Sequence, residues 1–98
     1  MAALKLVWTK LAISDLDDVY EYVAATNTGA AMALIARIEK AITALRFTPN
    51  MGRPGRISGT RELVVTGTPF IVPYRVKEDR IEIIAVIHSA RRWPGSFP

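Results

Sequence analysis

Two stripes of apolar residues at helical spacing follow one another along the chain, and Asn27-Thr28-Gly29 interrupts the pattern between them. The first stripe consists of Ala12, Leu16, Val19, Tyr20 and Val23, and the second of Ala31, Leu34, Ile35, Ile38, Ala41, Ile42 and Leu45. Spacings of three and four residues are typical of a helix that buries one side. Because the connection is so short, the sequence predicts an antiparallel helix hairpin.

Polar and turn residues set the bounds of both helices. Thr9 is a good N-cap residue, so we expect the first helix to run from there to about Ala25. Asn27-Thr28-Gly29 interrupts the first stripe and caps the second helix, which stops before Pro49. The face of the first helix opposite its apolar stripe carries Asp15, Asp18 and Tyr22.

The other apolar segments alternate with a period of two, as strands do. Leu4–Trp8 predicts a short strand before the hairpin. After the hairpin, three runs predict strands at Arg61–Val65, Phe70–Val76 and Ile81–His88, separated by turns short enough for hairpins. We therefore expect an antiparallel meander.

The middle strand of the meander predicts which side of the sheet contacts the helices. Phe70, Val72, Tyr74 and Val76 share one face, which should pack on the helices. Pro73 cannot donate a ladder hydrogen bond, so the strand either bulges there or turns that position away from its neighbour.

The segment from Thr48 to Gly59 holds two prolines and three glycines and is predicted to be a loop. Arg53 and Arg56 make it basic. Two interpretations of these arginines stay open: they cradle a phosphate group, or they only keep the loop soluble.

The element order predicts one α+β domain over residues 1–98. It has a short N-terminal strand and an antiparallel helix hairpin packed on a three- to four-stranded, mainly antiparallel sheet. The absence of cysteine and the single histidine exclude a disulfide framework and a structural zinc site, and we expect neither metal nor cofactor. No apolar run approaches the roughly 20 residues of a membrane span, which favours a cytoplasmic protein without membrane contact.

The net charge of +4 comes entirely from the second half of the chain. Residues 1–48 hold five basic and five acidic side chains, whereas residues 49–98 hold eight basic and four acidic ones. Seven of those eight cations are arginine, which suits bidentate contacts to carboxylate or phosphate. The second half is therefore expected to bind an acidic partner or a nucleic acid.

The C-terminal segment concentrates cations and aromatic surface. An apolar strand runs into His88 and is followed by Arg91, Arg92, Trp93 and Pro94. Tryptophan is costly to expose and is favoured at interfaces. We therefore expect Arg91, Arg92 and Trp93 to bind a macromolecular target.

Short motifs occur in a fixed order along the chain. They are Trp8-Thr9 with Ala12 and Asp15-Leu16, Tyr22-Val23-Ala24, Asn27 with Ala30-Ala31, Pro49 with Gly52-Arg53, Gly59-Thr60-Arg61-Glu62-Leu63, Pro69-Phe70-Ile71-Val72 with Tyr74-Arg75-Val76, and Ile87-His88 with Arg91 and Trp93-Pro94. In this order, and on a β-α-α-β-β-β pattern, they make the chain resemble toxins of the RelE/ParE superfamily from bacterial toxin–antitoxin operons.

The resemblance implies a toxin that a small antitoxin neutralises. ParE-like members inhibit DNA gyrase, and RelE-like members cut messenger RNA in the ribosome. RelE-like nucleases have a strongly basic second helix and a tyrosine near the C-terminus, whereas this chain has no tyrosine after Tyr74. Its Arg-Trp-Pro ending and alanine-bearing hairpin are similar to the ParE-like branch, which implies a gyrase poison without catalytic residues. The implied target-binding residues are Arg91, Arg92, Trp93, Arg75 and Arg61.

Two alternatives remain open at this point. In an endoribonuclease, Arg61 and Arg75 would hold the phosphate, His88 would act as acid or base, and Glu62 would be a second proton carrier. His88 could equally be a hydrogen-bonded structural residue, and Arg75 could hold the C-terminal segment. The third hypothesis is a non-toxic partner that only completes an operon-repressing complex.

The antitoxin implied by the resemblance is a ParD-like protein. We expect an amphipathic segment of it to lie along the helix hairpin, and a strand of it could extend the sheet edge. The expected antitoxin-binding residues are Tyr22, Met32, Ala33, Ala36, Arg37 and Lys40. Both a homodimer and a toxin–antitoxin hetero-oligomer are compatible with the sequence.

Overall fold

Residues 3–97 are described by the computed structural model, and Met1, Ala2 and Pro98, the ends of the domain predicted for residues 1–98, lie outside them. The helices and strands follow the predicted order, with two additional short strands. They are β1 (Lys5–Trp8), α1 (Lys10–Ala24), α2 (Thr28–Ala44), β2 (Arg53–Pro54), β3 (Arg61–Val64), β4 (Phe70–Val76), β5 (Arg80–Ile83) and β6 (Ile87–His88).

Both helices begin at the predicted capping residues. The Thr9 hydroxyl accepts a hydrogen bond from the Ala12 amide at 3.1 Å, and the Asn27 side chain accepts one from the Ala30 amide at 2.9 Å. Each bond satisfies a donor that the first turn of a helix leaves without a partner. The helix hairpin is confirmed, with Ala25 as the C-cap of α1.

The sheet has the strand order β1-β5-β4-β3-β2, with β6 also paired to β4. β1 runs parallel to β5, and the other neighbours are antiparallel. The α+β class and the mainly antiparallel sheet are therefore confirmed. The described residues contain more strands than the predicted three or four, because β2 and β6 are two-residue strands. β2 lies inside the segment that the sequence predicted as loop.

The prediction of a single strand over Ile81–His88 is wrong, because this segment forms two strands. β5 pairs with the end of β4 and β6 with its start, and the intervening residues 84–86 oppose only two residues of β4. This extra residue is a β-bulge. It lies opposite Pro73, whose carbonyl accepts from the Ile84 amide at 3.0 Å and whose nitrogen has no hydrogen to donate. The predicted bulge thus exists, but in the partner strand.

The predicted helix-facing side of β4 is confirmed for three of its four residues. Phe70, Val72 and Tyr74 are buried against the helices, while Val76 is 39% exposed at the strand end. Their partners in this main cluster include Ala12, Ile38, Ile42, Leu45, Leu63, Val65, Ile81, Ile83 and Val86. The main cluster holds the hairpin on the sheet by hydrophobic burial.

A second, smaller cluster covers the opposite face of the sheet, which we call the outer face. Ile84, Ala85 and Ile87 pack there against Trp93 and Phe97. The chain after β6 therefore turns back across the sheet.

Tyr74 ties the segment before β3 to the core. Its hydroxyl donates to the Pro49 carbonyl at 2.7 Å and accepts from the Gly52 amide at 2.9 Å. A Cβ at Gly52 would lie 2.6 Å from that hydroxyl, so only glycine allows this approach. Burial raises the pKa of Tyr74 above its ordinary value of 10.0. The neutral hydroxyl thus fixes the chain just before β2.

Candidate functional site

Arg61 lies on the helix-facing side of the sheet, because it is directly opposite Tyr74 in the β3–β4 pair. Its guanidinium donates to the Gly52 carbonyl at 2.7 Å and to the Asn50 carbonyl at 3.3 Å. These bonds hold the segment before β2. In this structure Arg61 therefore braces a loop.

Arg75 lies on the outer face, one position further along β4 and opposite Glu82 of β5. The side-chain Nη1 of Arg75 is 3.9 Å from Glu82 Oε1, and each side chain is less than a quarter exposed. Alternation along β4 places Arg75 and Arg61 on opposite faces of the sheet.

His88 lies near the other end of β4, opposite Phe70, and so on the helix-facing side. The Phe70 and His88 rings meet edge to face, with centroids 5.4 Å apart. His88 Nδ1 accepts a hydrogen bond from the Ala90 amide at 3.1 Å. These contacts match the structural interpretation of His88 that the sequence left open.

The structure does not bring the three candidate nuclease residues together. Arg75 points away from Arg61 and His88 across the sheet. The β4 partners of Arg61 and His88 are four positions apart, which at the rise of a strand is about 13 Å. One phosphodiester could not contact all three side chains.

Glu62 lies on the outer face, and only 2% of its side chain is exposed. Arg53 donates to Oε1 from Nε at 3.1 Å and Nη2 at 3.0 Å. Arg56 donates to Oε2 from its backbone amide at 2.8 Å and from Nε at 3.1 Å. The two loop arginines, which the sequence left between a phosphate cradle and solubility, both hold this carboxylate.

The protonation of Glu62 follows from these contacts. Burial alone would raise its pKa, but the hydrogen bonds from Arg56 and Arg53 outweigh that effect and hold the pKa below its ordinary value of 4.5. Glu62 is thus ionised at neutral pH, which does not favour the hypothesis of a second proton carrier.

Trp93 packs back onto the outer face instead of projecting into solvent. Its indole contacts the second cluster and meets the Phe97 ring at a centroid distance of 6.4 Å. The Arg56 guanidinium lies 3.7 Å from the centre of the indole ring, a cation–π distance. Arg92, the preceding residue, is exposed, whereas Arg91 lies on the helix-facing side, where it lines a cavity with Asp15 and Asp18 of α1.

The outer face and the chain from Arg92 onward together form one basic surface. Its cations among the described residues include Arg53, Arg56, Arg75, Arg80 and Arg92. Its acids, Glu62 and Glu82, each lie within 4.0 Å of arginine nitrogens. This surface, which we call the outer basic surface, suits a negatively charged macromolecule.

Asp15 has a role that the sequence did not reveal. It was predicted on the exposed face of the first helix, yet its Oδ2 accepts a hydrogen bond from the Val86 amide at 3.0 Å. Burial raises its pKa above the ordinary value of 3.8. Nothing in the local pattern indicates this contact, because Val86 is 71 residues away.

The residues expected to bind an antitoxin are all exposed on the helix hairpin. Tyr22 is 85% and Met32 is 64% exposed, and Ala33, Ala36, Arg37 and Lys40 are also exposed. Large apolar side chains this exposed favour a contact surface.

A groove of about 590 Å³ runs between α2 and β3 beside these residues. Arg37 and Lys40 line its helix side, and Leu63 and Val64 line its strand side. β2 pairs only with Arg61 and Glu62. Within residues 3–97, the outer edge of β3 beyond Glu62 thus has no strand partner.

Other site types find no support in the part of the chain that the structure describes. Residues 3–97 contain no group of three or more histidine or acidic side chains placed to hold a metal ion. None of the helices in that range has the length and apolar character needed to cross a membrane.

Comparisons with known proteins identify the family of the chain. The family model described as "ParE toxin of type II toxin-antitoxin system, parDE" matches residues 6–93. "Putative toxin Y4kP" of Sinorhizobium fredii is 42% identical over 94 residues, which cover 96% of this chain and 97% of that protein. "Toxin RelE2" of Caulobacter vibrioides is 31% identical over 87 residues, which cover 89% of this chain and 97% of that protein.

A solved structure is similar over most of the chain. It is described as "Chromosomal ParDE TA system from P. aeruginosa" and superposes with a TM-score of 0.80 at 31% identity. The match covers 88% of this chain and 96% of that one. The two helices on a mixed sheet are therefore an arrangement that this relative shares.

Proposed function

We propose a function on the premise that the chain belongs to the ParE toxin family of type II toxin–antitoxin systems, whose model matches residues 6–93. The protein inhibits growth by binding DNA gyrase and poisoning it, and a ParD-like antitoxin neutralises it. It performs no covalent chemistry. Because gyrase acts on the chromosome, the proposal places this action in the cytoplasm.

The outer basic surface is the observation that carries this proposal. Arg75 and Trp93 lie on it with Arg92 next to Trp93 in the chain, and arginine and tryptophan are among the residues most enriched in strong interface contacts. Gyrase in complex with cleaved DNA offers phosphates and acidic side chains to such a surface. Arg61 and Arg91, which the sequence grouped with these residues, lie on the helix-facing side and are left out of the proposed contact.

Ribosome-dependent cleavage of messenger RNA is less well supported. General acid–base cleavage needs a proton acceptor, a proton donor and cations around one phosphate. Arg61, Arg75 and His88 are split between two faces and two ends of the sheet. The relative named Toxin RelE2 keeps this alternative worth testing.

A gyrase supercoiling assay tests the proposal directly. Purified protein should inhibit supercoiling, and His88→Ala should leave that inhibition nearly unchanged. The double variant Arg75→Ala/Arg92→Ala should need about thirtyfold more protein or more for half inhibition, because two contacts at an interface centre are worth roughly 1–2 kcal/mol or more each.

A matched variant controls for the lost charge. Lys10→Ala/Lys40→Ala also removes two positive charges, but from exposed positions on α1 and α2, on the other side of the sheet. It should inhibit like the parent protein. If the two double variants behave alike, or if His88→Ala abolishes both toxicity and cleavage of translated messenger RNA, the gyrase proposal is wrong.

The antitoxin is proposed to lie along the helix hairpin. Ala33 and Ala36 expose small side chains that allow a partner helix to approach closely, and Met32 and Tyr22 supply apolar area. Arg37 and Lys40 favour an acidic partner segment, and the open edge of β3 could accept a strand.

Titration calorimetry with the antitoxin tests this placement. Ala36→Glu introduces a charge and a bulky side chain into the proposed contact and should weaken binding by about tenfold or more. Ser58→Glu adds the same charge on the exposed loop after β2 and should bind like the parent. Equal affinities for both variants would refute the placement. Expression without antitoxin that leaves growth unchanged would instead favour the operon-regulatory hypothesis.

A further inference from the structure

The chain after β6 is held on the outer face by two kinds of contact. Trp93 and Phe97 contact Ile84, Ala85 and Ile87, which is ordinary hydrophobic packing. In addition, the Arg56 guanidinium lies over the indole at 3.7 Å from its centre. The first contact comes from neighbours in sequence, and the second from a loop more than 35 residues away.

Arg56 is itself fixed by Glu62. Its backbone amide and its Nε both donate to Oε2 of that carboxylate, at 2.8 and 3.1 Å. Because Glu62 is 2% exposed and belongs to β3, it gives the guanidinium a rigid attachment to the sheet. A planar guanidinium oriented in this way can stack on an aromatic ring, which a lysine ammonium cannot do.

The indole is held through its ring and not through its N–H. Trp93 Nε1 is buried and has no acceptor among the described residues. The stack with Arg56 and the packing against the second cluster are therefore the contacts that fix its orientation. Loss of the stack would leave only the apolar contacts of one small cluster.

We propose that Arg56, oriented by Glu62, is a positioning residue that holds Trp93 and the segment 93–97 against the outer face. This inference rests on the proposed function, because Trp93 belongs to the proposed gyrase contact. A held segment loses less conformational entropy when it binds than a mobile one, so the attachment favours target binding. Arg56 acts through Trp93, and its own contact with the target is not required.

Arg53 provides the matched control. It binds the same Glu62 carboxylate with two hydrogen bonds and has a similar exposure, 52% against 46% for Arg56. The described contacts of Trp93 with a cation include Arg56 alone. Arg53→Ala and Arg56→Ala thus remove the same charge and one Glu62 partner each, but only Arg56→Ala removes the stack.

Tryptophan fluorescence measures the attachment without any target. The chain has two tryptophans, and Trp8→Phe leaves Trp93 as the single reporter. In that background Arg56→Ala should shift the emission of Trp93 more than halfway toward the urea-unfolded value and raise its acrylamide quenching. Arg53→Ala should leave both near the parent values. Arg56→Lys keeps the charge but loses the planar group, so it should shift the emission in the same direction as Arg56→Ala, by a smaller amount.

Limited trypsin digestion is the second measurement, because trypsin cleaves after Arg92, next to the held Trp93. Arg56→Ala and Arg56→Lys should each be cut there faster than the parent, while Arg53→Ala is cut at the parent rate. Unchanged Trp93 emission in both Arg56 variants would overturn the proposal, and so would an equal shift in Arg53→Ala. If Arg56→Ala loses its helical circular dichroism, it is not folded, and the emission of Trp93 in Arg56→Lys then tests the proposal. These optical results stand whether or not gyrase proves to be the target. A supercoiling assay of the same variants then reports on the proposed function separately.

Discussion

Asp15 accepts a hydrogen bond from a backbone amide for which the sheet provides no acceptor. The bulge opposite Pro73 takes residues 84–86 out of regular pairing, and the amide of Val86 lies in this stretch. A carboxylate from α1 accepts that hydrogen bond at 3.0 Å. A buried amide without an acceptor costs about 1–3 kcal/mol. The Asp15 carboxylate avoids this cost at the break between β5 and β6.

Two substitutions at Asp15 separate its hydrogen bond from its charge. Asp15→Ala leaves the Val86 amide without its acceptor and should lower the free energy of unfolding by about 1–3 kcal/mol. Asp15→Asn keeps an acceptor oxygen and should cost less. Urea unfolding at pH 7 measures both values. An equal loss in the two variants would mean that the charge, not the hydrogen bond, is what matters.

At the scale of elements, Thr9 joins α1 to the sheet. Its hydroxyl accepts from the Ala12 amide and donates to the Ile84 carbonyl at 2.8 Å, just after β5. The same residue therefore caps a helix and secures the start of the bulge. The capping part of this role is local and was predictable, whereas the contact with Ile84 spans 75 positions.

Thr9→Ala removes both hydrogen bonds and should destabilise the protein by about 1–2 kcal/mol, the range for a lost N-cap with a further buried acceptor. Thr9→Ser retains the hydroxyl and should lose far less. The midpoint of urea unfolding measures the difference, with an unchanged slope as the sign of an intact folded state. If the serine variant is as unstable as the alanine variant, the methyl group and not the hydroxyl carries the effect.

The elements that the sequence predicted well are those whose signals are local. Helical spacing and the capping residues Thr9 and Asn27 indicated the hairpin, and alternation along β4 indicated its buried face. The parallel pairing of β1 with β5 had no such signal, because it joins residues about 75 positions apart. The sequence showed that Pro73 disturbs a strand. It did not show that β5 and β6 would accommodate the proline by separating.

The candidate site was predictable in composition but not in geometry. The excess of arginine and the aromatic residue in the second half were visible in the sequence. The return of the C-terminal segment across the outer face was not, since it depends on the small cluster formed by Ile84, Ala85 and Ile87. The pairing of Glu62 with Arg53 and Arg56 was also missed, for a different reason. Alternation placed Glu62 away from the helices, where an acid is normally exposed.

At the scale of the whole molecule, the two faces of the sheet are stabilised in different ways. The helix-facing side holds the main cluster, and Arg61 and His88 brace its rim. The outer face buries a much smaller cluster and depends on the charged group of Glu62, Arg53 and Arg56 to keep its covering in place. Acid should therefore loosen the outer face before the main cluster.

The pH dependence of stability tests this last point. The folded pKa of Glu62 lies below 4.5, so its stabilisation is complete above that pH and is lost as the pH falls through the folded pKa. Glu62→Gln should lower the free energy of unfolding at pH 7 by about 1–3 kcal/mol, a range reduced because both arginines are half exposed. The difference between parent and variant should shrink as the pH falls below 4.5.

Asp15 gives the opposite sign and serves as an internal control. Its folded pKa lies above 3.8, so the folded protein binds this proton more tightly, and stability falls as the pH rises from 3.8 through the folded value. Asp15→Asn should remove that fall, whereas Glu62→Gln should remove a rise. Unfolding by urea across pH 3 to 7 distinguishes the two slopes. If the free energies of unfolding of the parent and of Glu62→Gln differ by the same amount at every pH, the side chain stabilises the outer face by its shape and not by its charge.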